Sequence, residues 1–364
     1  MRKTLLVITE TSYDKGNNRF INPATETILR SYRKQFDVVH TLSPGFESGL
    51  TNFNEYYLLG RYSKKLLPRI AFLFGVLVNY YKIRALIKNY SHVQYRLPSS
   101  FVSVVLFLSR KENSSIYLSG DWAAAIRAMK RDYFFISTVF EWIVRKSIKD
   151  RVIITAGSAL SDKYSDIAKA TYWIISTTHN QCLIRKKNSD IIVVSFVGAL
   201  TKLKGVYDIP LLIKCLKSKN INFKLNIIGA GPEEKLIENI SQEYSCVVAH
   251  GQISLEKVNN ILKTSDFLFH PSYSEGTPKV ISEALSVGCI PIARHEIGSI
   301  SDILNNRNSI NLSDFNMSDL VDRIAIIFSS KHYEEYQDTM HATCATTTLD
   351  SQTQKIWKFI YENI

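Results

Sequence analysis

His270-Pro-Ser-Tyr-Ser-Glu-Gly-Thr-Pro-Lys-Val-Ile-Ser-Glu-Ala-Leu-Ser-Val-Gly288 reads as a strand end, a loop and a short helix in one run. Its first residue closes the apolar stretch Asp266-Phe-Leu-Phe-His270, which has the look of a buried strand. Ser272 to Thr277 are turn formers. Thr277 suits an N-cap and Pro278 the first helical position, where a missing N–H costs nothing; Gly288 offers a stop. A helix N-terminus at the carboxyl end of a parallel strand presents backbone N–H groups and partial positive charge, which suit a phosphate. Two carboxylates flank this cradle, Glu275 in the loop and Glu283 in the helix. Beside an anion site a carboxylate is better employed accepting hydrogen bonds from hydroxyls, as a ribose or hexose provides. Phosphate plus hydroxyls points to a nucleotide sugar. As isolated residues, the two glutamates would read as a turn residue and a solvated helix position.

Taken together, the segment resembles the donor-site signature of family 4 of the retaining glycosyltransferases (group 1 glycosyltransferases), in which two glutamates have seven residues between them, after Pro-Ser and before Ala-Leu-x-x-Gly. Three further segments are similar to the same family. Phe196-Val-Gly-Ala-Leu-Thr-Lys-Leu-Lys-Gly205 resembles the loop whose lysine binds the diphosphate, with Lys204 in that place. Ile227-Ile-Gly-Ala-Gly-Pro232, with Gly229, Gly231 and Pro232, resembles the turn bordering the base, and His250-Gly251 the strand end beside it. The resemblance covers residues 190–305 well and the first half loosely. It implies the GT-B fold, two Rossmann-like α/β domains facing across a cleft, with the last helix crossing back to the first domain.

The resemblance also implies roles. Lys204 and the Pro278 helix end would stabilise the departing diphosphate, Glu283 the ribose, and Glu275 with Gly276 and Thr277 the sugar. Family members pair the lysine with an arginine five residues earlier; Ala199 stands there, and Lys202 is the candidate replacement, although a lysine lacks the bidentate fork. Many members also carry a histidine at a strand end of the first domain, the position matched here by Asp121, while Gly16 lies in that domain's first loop. No Asp-x-Asp is present, and neither a metal nor a cofactor is expected.

Length and composition agree with two domains: 364 residues, 45% hydrophobic. The expected division is 1–185 for acceptor and membrane, 186–345 for donor, and 346–364 as the returning helix. Charge divides near the same point. Residues 1–180 hold 26 Lys+Arg against 13 Asp+Glu, leaving 19 against 20 for the remainder. The basic half implies an anionic partner. Within it, Ile70–Tyr81 is apolar between Arg61, Lys64, Lys65, Arg69 and Lys82, Arg84, Lys88, a pattern suited to a monotopic contact with an anionic membrane and equally to a buried helix. No run is long enough to span a bilayer, and Leu5–Ile8 stops too soon for a signal peptide. The five cysteines have no paired metal spacing, and reduced thiols in a cytoplasmic setting are expected, at the inner face of the plasma membrane.

In chain order, a strand at Lys3–Thr9 precedes a helix at Asn22–Gln35, and Glu55–Tyr90 reads as a long helical region. Strands are expected at His92–Leu97, Ser115–Ser119, 151–155 and 172–176. The β-α alternation restarts at Ile191, and Ser351–Ile364 forms an amphipathic helix with Ile356, Ile360 and Ile364 on one stripe.

The reading is therefore a retaining hexosyltransferase moving a sugar from a nucleoside diphosphate to a glycan or lipid-diphosphate-linked acceptor in cell-surface polysaccharide or lipopolysaccharide synthesis. A nucleotide-sugar epimerase of the same fold, or a non-catalytic membrane-associated partner lacking the arginine, are the alternatives. A dinucleotide oxidoreductase fits poorly, because Glu234 stands where a third glycine belongs after Gly229-Ala-Gly231. The basic residues are spread through apolar helices rather than set on a recognition element, which disfavours nucleic acid.

Overall fold

The computed structural model describes residues 3–11, 13–14, 19–20, 23–44, 50–53, 56–59, 74–108, 113–121, 134–182 and 190–364. The chain forms two compact units, Met1–Ile174 with Asp350–Ile364, and Ile175–Leu349.

The first unit is built on β1 (Thr4–Ile8), a minor hairpin of β2 (Tyr13–Asp14) and β3 (Arg19–Phe20), α1 (Pro23–Tyr32), β4 (Val38–Pro44), β5 (Leu50–Phe53) and β6 (Tyr56–Leu59). There follow α2 (Tyr80–Lys88), β7 (His92–Leu97), α3 (Ser100–Leu108), β8 (Ser114–Leu118), α4 (Phe134–Ile148), β9 (Val152–Ala156), α5 (Ser158–Tyr164) and β10 (Ala170–Ile174). Eight strands make one sheet in the order β10-β9-β8-β7-β1-β4-β6-β5, parallel except for β5 against β6. The near-continuous apolar runs Leu5–Ile8 and Val152–Ala156 are buried along their length, as strands covered on both faces require.

The long helix expected from Glu55 is corrected. Tyr56–Leu59 is a strand paired with β4 and β5, and the next described residues, from 74, are helical. Four apolar residues cannot distinguish a period of 2 from 3.6, and two tyrosines favour the pleated surface. Residues 60–73, including the basic cluster Arg61 to Arg69, lie outside the described residues.

The last helix, α12 (Leu349–Asn363), belongs largely to this unit. Trp357 is its anchor: fully buried, it meets Tyr32, Phe36 and His92 edge to face at 5.3, 4.6 and 5.3 Å. Asp350 takes hydrogen bonds from Ser31 and Lys34. Ile356 and Ile360 are buried as expected, whereas Ile364 is exposed, since the helix stops one residue before it.

The second unit comprises β11 (Ile192–Val197), α6 (Asp208–Ser218), β12 (Phe223–Ile228), α7 (Glu234–Glu243), β13 (Val247–Gly251), α8 (Leu255–Lys263), β14 (Phe267–His270), α9 (Lys279–Ser286), β15 (Ile290–Ala293), β16 (Ile310–Asn311), α10 (Met317–Ser329) and α11 (His332–Thr346). Its six strands are all parallel, in the order β13-β12-β11-β14-β15-β16. Phe196, Phe267, Phe269, Ile281 and Leu285 lie at the centre of its core. Ser254 and Asn316 cap α8 and α10 by accepting from Lys257 N and Asp319 N.

A second correction concerns the cysteines. Cys182 and Cys344 form a disulfide, so the expectation of reduced thiols fails for this pair, and the cysteine count no longer argues for a reducing compartment. The partners are 162 residues apart, a separation from which spacing gives no pairing signal. Cys215, Cys246 and Cys289 are free thiols.

Candidate functional site

In the second unit the strand order reverses between β11 and β14, and open α/β sheets hold ligands outside the carboxyl ends of strands at such a reversal. The two segments singled out in the sequence, the Lys204 loop and the Glu275 loop, leave these two strands. They are bound to one another. The Leu203 carbonyl accepts from Tyr273 N at 2.8 Å and from Ser272 Oγ at 3.2 Å. Gly205 closes the turn Lys202–Lys204 with φ of +71°, and a Cβ there would lie 2.2 Å from the Pro271 carbonyl oxygen. Only glycine permits both the left-handed backbone and this approach.

That contact brings the charged groups together. Lys204 Nζ donates to Glu275 Oε1 at 2.5 Å, and His270 Nε2 lies 2.9 Å from the same oxygen. Burial alone would raise the Glu275 carboxyl, but hydrogen bonds and charge from His270 and Lys204 outweigh it and hold the group at about 2. Glu275 is therefore an anion at any physiological pH. Lys202, the candidate second cation, is exposed on the same turn, and Ala199 is exposed too.

The helix that follows begins one residue later than expected. Pro278 is the N-cap of α9 rather than its first residue, and Thr277 does not cap it. The Thr277 hydroxyl is instead buried and has no hydrogen-bond partner among the described residues. Glu283 is buried within α9 and accepts from the Thr178 hydroxyl at 2.9 Å. Burial raises its carboxyl, with Thr178 and Lys279 opposing only in part. An anion so poorly compensated favours ligand hydroxyls that bring further donors.

The neighbouring turns form a backbone lattice. Leu200 N donates to Ala230 O and Glu233 N to Leu200 O, both at 3.0 Å, binding the turn of Gly231 and Pro232 to the lysine loop. Gly229 (φ +145°) donates to the Gly251 carbonyl at 2.9 Å, and a Cβ on Gly229 would come within 1.8 Å of the Gly198 oxygen. His250 Nε2 meets Asn226 Oδ1 at 3.0 Å. Burial, then Lys224, lowers its imidazole and keeps it neutral.

Three contributors lie outside the sequence-based expectation. Arg294 donates to the Pro271 carbonyl at 2.9 Å and to Asp208 at 3.2 Å, with its guanidinium 4.1 Å from the Tyr273 ring centre, and so buttresses the Glu275 loop. Thr178 reaches Glu283 from 105 residues away. His270 was read only as a strand end. Thr178 and Arg294 are brought in by tertiary folding and leave no local signal, whereas His270 stands five residues before Glu275, and its imidazole beside the loop was the signal that could have found it.

In the first unit, Asp121 follows β8 and is ion-paired with Lys163 at 2.8 Å, a lysine shared with Glu141 at 2.8 Å. Burial opposes the Lys163 charge, but these two carboxylates and Tyr164 raise it overall. Gly16 and the segment after Asp121 lie outside the described residues.

Comparison with known proteins bears on this arrangement. Residues 183–342 match the family model of Glycosyl transferases group 1. Over 115 residues, 32% of the chain, it is 26% identical to TuaC of Bacillus subtilis (strain 168), whose name makes it a candidate glycosyltransferase of teichuronic acid biosynthesis. Over 268 residues, 68% of the chain, it is 25% identical to protein CapJ of Staphylococcus aureus. The chain spans 27% of the length of the first and 66% of the second. Among solved structures it is similar to a sucrose-phosphate synthase from Thermosynechococcus elongatus (TM-score 0.71, 13% identity, covering 99% of this chain and 100% of that one). It is similar also to Anabaena HepE in complex with UDP-glucose (TM-score 0.66, 13% identity, 99% of each chain). A third is WaaG, a glycosyltransferase involved in lipopolysaccharide biosynthesis (TM-score 0.65, 13% identity, 98% and 99%). The chain therefore has the GT-B fold of these structures, and its second unit carries the match to the group 1 glycosyltransferase model.

Proposed function

We propose that the protein is a retaining glycosyltransferase of the family 4 type, moving a hexose from a nucleoside diphosphate to a hydroxyl of a glycan or lipid-diphosphate-linked acceptor in cell-surface polysaccharide assembly. The observation that carries this reading is the meeting of Lys204 and Glu275 where the strand order reverses, beside the buried carboxylate of Glu283. The group 1 match over 183–342 and the similarity to TuaC and WaaG support the reaction class and its setting.

In this reading Lys204 and the N-terminal end of α9 stabilise negative charge as the diphosphate departs, electrostatic preorganisation where charge develops. When a diphosphate arrives, Lys204 is shared between it and Glu275, while His270 keeps Glu275 ionised and in place. Glu275 and the Gly276–Thr277 segment accept and donate to sugar hydroxyls, with the unpaired Thr277 hydroxyl among the donors. Glu283 accepts from the ribose hydroxyls. The sugar leaves on the face from which the acceptor enters, the leaving diphosphate taking the acceptor proton. No nucleophilic side chain and no metal ion is required by this scheme. Calorimetric titration with a panel of nucleoside-diphosphate sugars tests it: one donor binds, and Lys204→Ala abolishes the binding.

An anionic membrane surface is the proposed partner of the first unit. On α2 and α3, and in the turn of helix at residues 74–78 just before α2, Phe74, Val78, Tyr81 and Phe107 are 66 to 80% exposed, and Trp142 on α4 is 59% exposed. Lys82, Arg84 and Lys88 are exposed along α2, with Lys146 and Lys149 at the end of α4. Exposed aromatics bordered by cations match the headgroup boundary of a bilayer rich in anionic lipid. No described helix is long and apolar enough to cross a membrane.

A further inference from the structure

We propose that His179, Cys182 and Cys344 form a redox-gated site for a thiophilic divalent cation of the zinc type, occupied when the Cys182–Cys344 disulfide is reduced. The ligating atoms of the three residues lie within 4.8 Å of one another. Ligands at about 2.0–2.3 Å from a tetrahedral zinc stand at separations of this order. His179 Nε2 is 3.2 Å from Cys344 Sγ, so the ring already faces the sulfurs. Its other nitrogen, Nδ1, meets the Thr177 hydroxyl at 2.5 Å, and Thr177 Oγ1 also accepts from His179 N. With Nδ1 protonated and donating, the Nε2 lone pair is directed at the trio, which is how a metal-bound histidine is oriented by its outer partner.

His179 and Cys182 form a His-x-x-Cys pair on one segment, and Cys344 lies near the end of α11; three protein ligands leave one tetrahedral position for water. Two soft sulfurs and an imidazole favour zinc over magnesium or calcium. Opening the site requires two electrons and two protons, supplied by a dithiol donor that is itself oxidised to a disulfide. The cation then displaces the two thiol protons and binds the thiolates. The site has a structural setting of its own. Cys182 follows the point at which the chain enters the second unit, Cys344 precedes the point at which it leaves, and Leu349 N donates to the His179 carbonyl at 2.8 Å. Disulfide and metal are thus alternative clasps on the same two passages of chain.

The test is a cobalt(II) titration of the full-length protein after reduction and removal of the reductant under anaerobic conditions. One cobalt per chain is expected, with a near-ultraviolet thiolate-to-metal absorption band that zinc abolishes by competition. The oxidised protein should show none, and Cys182→Ser and Cys344→Ser should each remove the band. Thr177→Val should weaken cobalt binding by about 10- to 100-fold, the usual cost of losing an outer partner. If the reduced wild type keeps its circular dichroism and takes up no cobalt, or if the band survives in both serine variants, the proposal is overturned and the pair is a structural disulfide only.

Discussion

Glu283 sits buried in α9 with the Thr178 hydroxyl on one oxygen, and burial raises its carboxyl because the charged form has lost water without gaining a full set of donors. A folded-state value above the unfolded one means that the ionised group costs stability at neutral pH, a cost relieved as the pH falls. Glu283→Gln is therefore expected to raise the melting temperature of the unliganded protein. If Glu283 holds the ribose, the same change lowers donor affinity by about 10- to 100-fold, the worth of a hydrogen bond to a charged group; calorimetry beside a thermal melt separates the two. Glu275 has the opposite sign. Held at about 2 against an ordinary 4.5, its pairing with His270 and Lys204 contributes stability that is complete above pH 4.5 and is lost as the pH falls toward 2. The stability gap between wild type and Glu275→Gln should accordingly narrow across that interval in denaturant titrations. At this scale the spacing of the two glutamates and the place of Lys204 were legible, because family motif and local chemistry coincide there. Thr178, Arg294 and the cysteine pairing were not, because each acts on a partner distant in sequence.

Among the elements, α12 shows what periodicity conveys and what it leaves out. The Ile356–Ile360 stripe marked a buried face, yet the largest contribution is Trp357, which fills the space among Tyr32, Phe36 and His92. Truncation to alanine at such a site costs about 3–5 kcal/mol, and Trp357→Ala should lower the denaturation midpoint accordingly. The short strand β6 was read as part of a helix because a four-residue apolar segment carries no usable period. The exposed aromatics of α2 and α3 belong to the same scale. Co-sedimentation with vesicles rich in phosphatidylglycerol, but not with phosphatidylcholine alone, is expected, and a Tyr81→Ser, Phe107→Ser double variant should lose it while retaining its melting temperature. Equal sedimentation of both proteins would rule out this face as the membrane-binding surface.

For the molecule as a whole, the β-α alternation and its restart near residue 191 carried the fold, since parallel strands buried on both faces announce themselves as uninterrupted apolar runs. The order of the strands was beyond reach, because pairing is decided by packing across the whole unit; the reversal between β11 and β14 that locates the site is a property of the folded sheet alone. The excess of basic residues in the first half was visible in composition, and the structure adds which of them border exposed aromatics. In the proposed function the second unit binds a nucleoside-diphosphate sugar through Lys204, Glu275 and Glu283. Isothermal titration of the wild type and of Lys204→Ala against a panel of such donors, UDP-glucose included, tests it most directly. Saturable one-to-one binding of one donor by the wild type is expected, and its loss in Lys204→Ala, with the variant's fold unchanged by circular dichroism. Undiminished binding by Lys204→Ala, or no binding of any donor by the wild type, would contradict it.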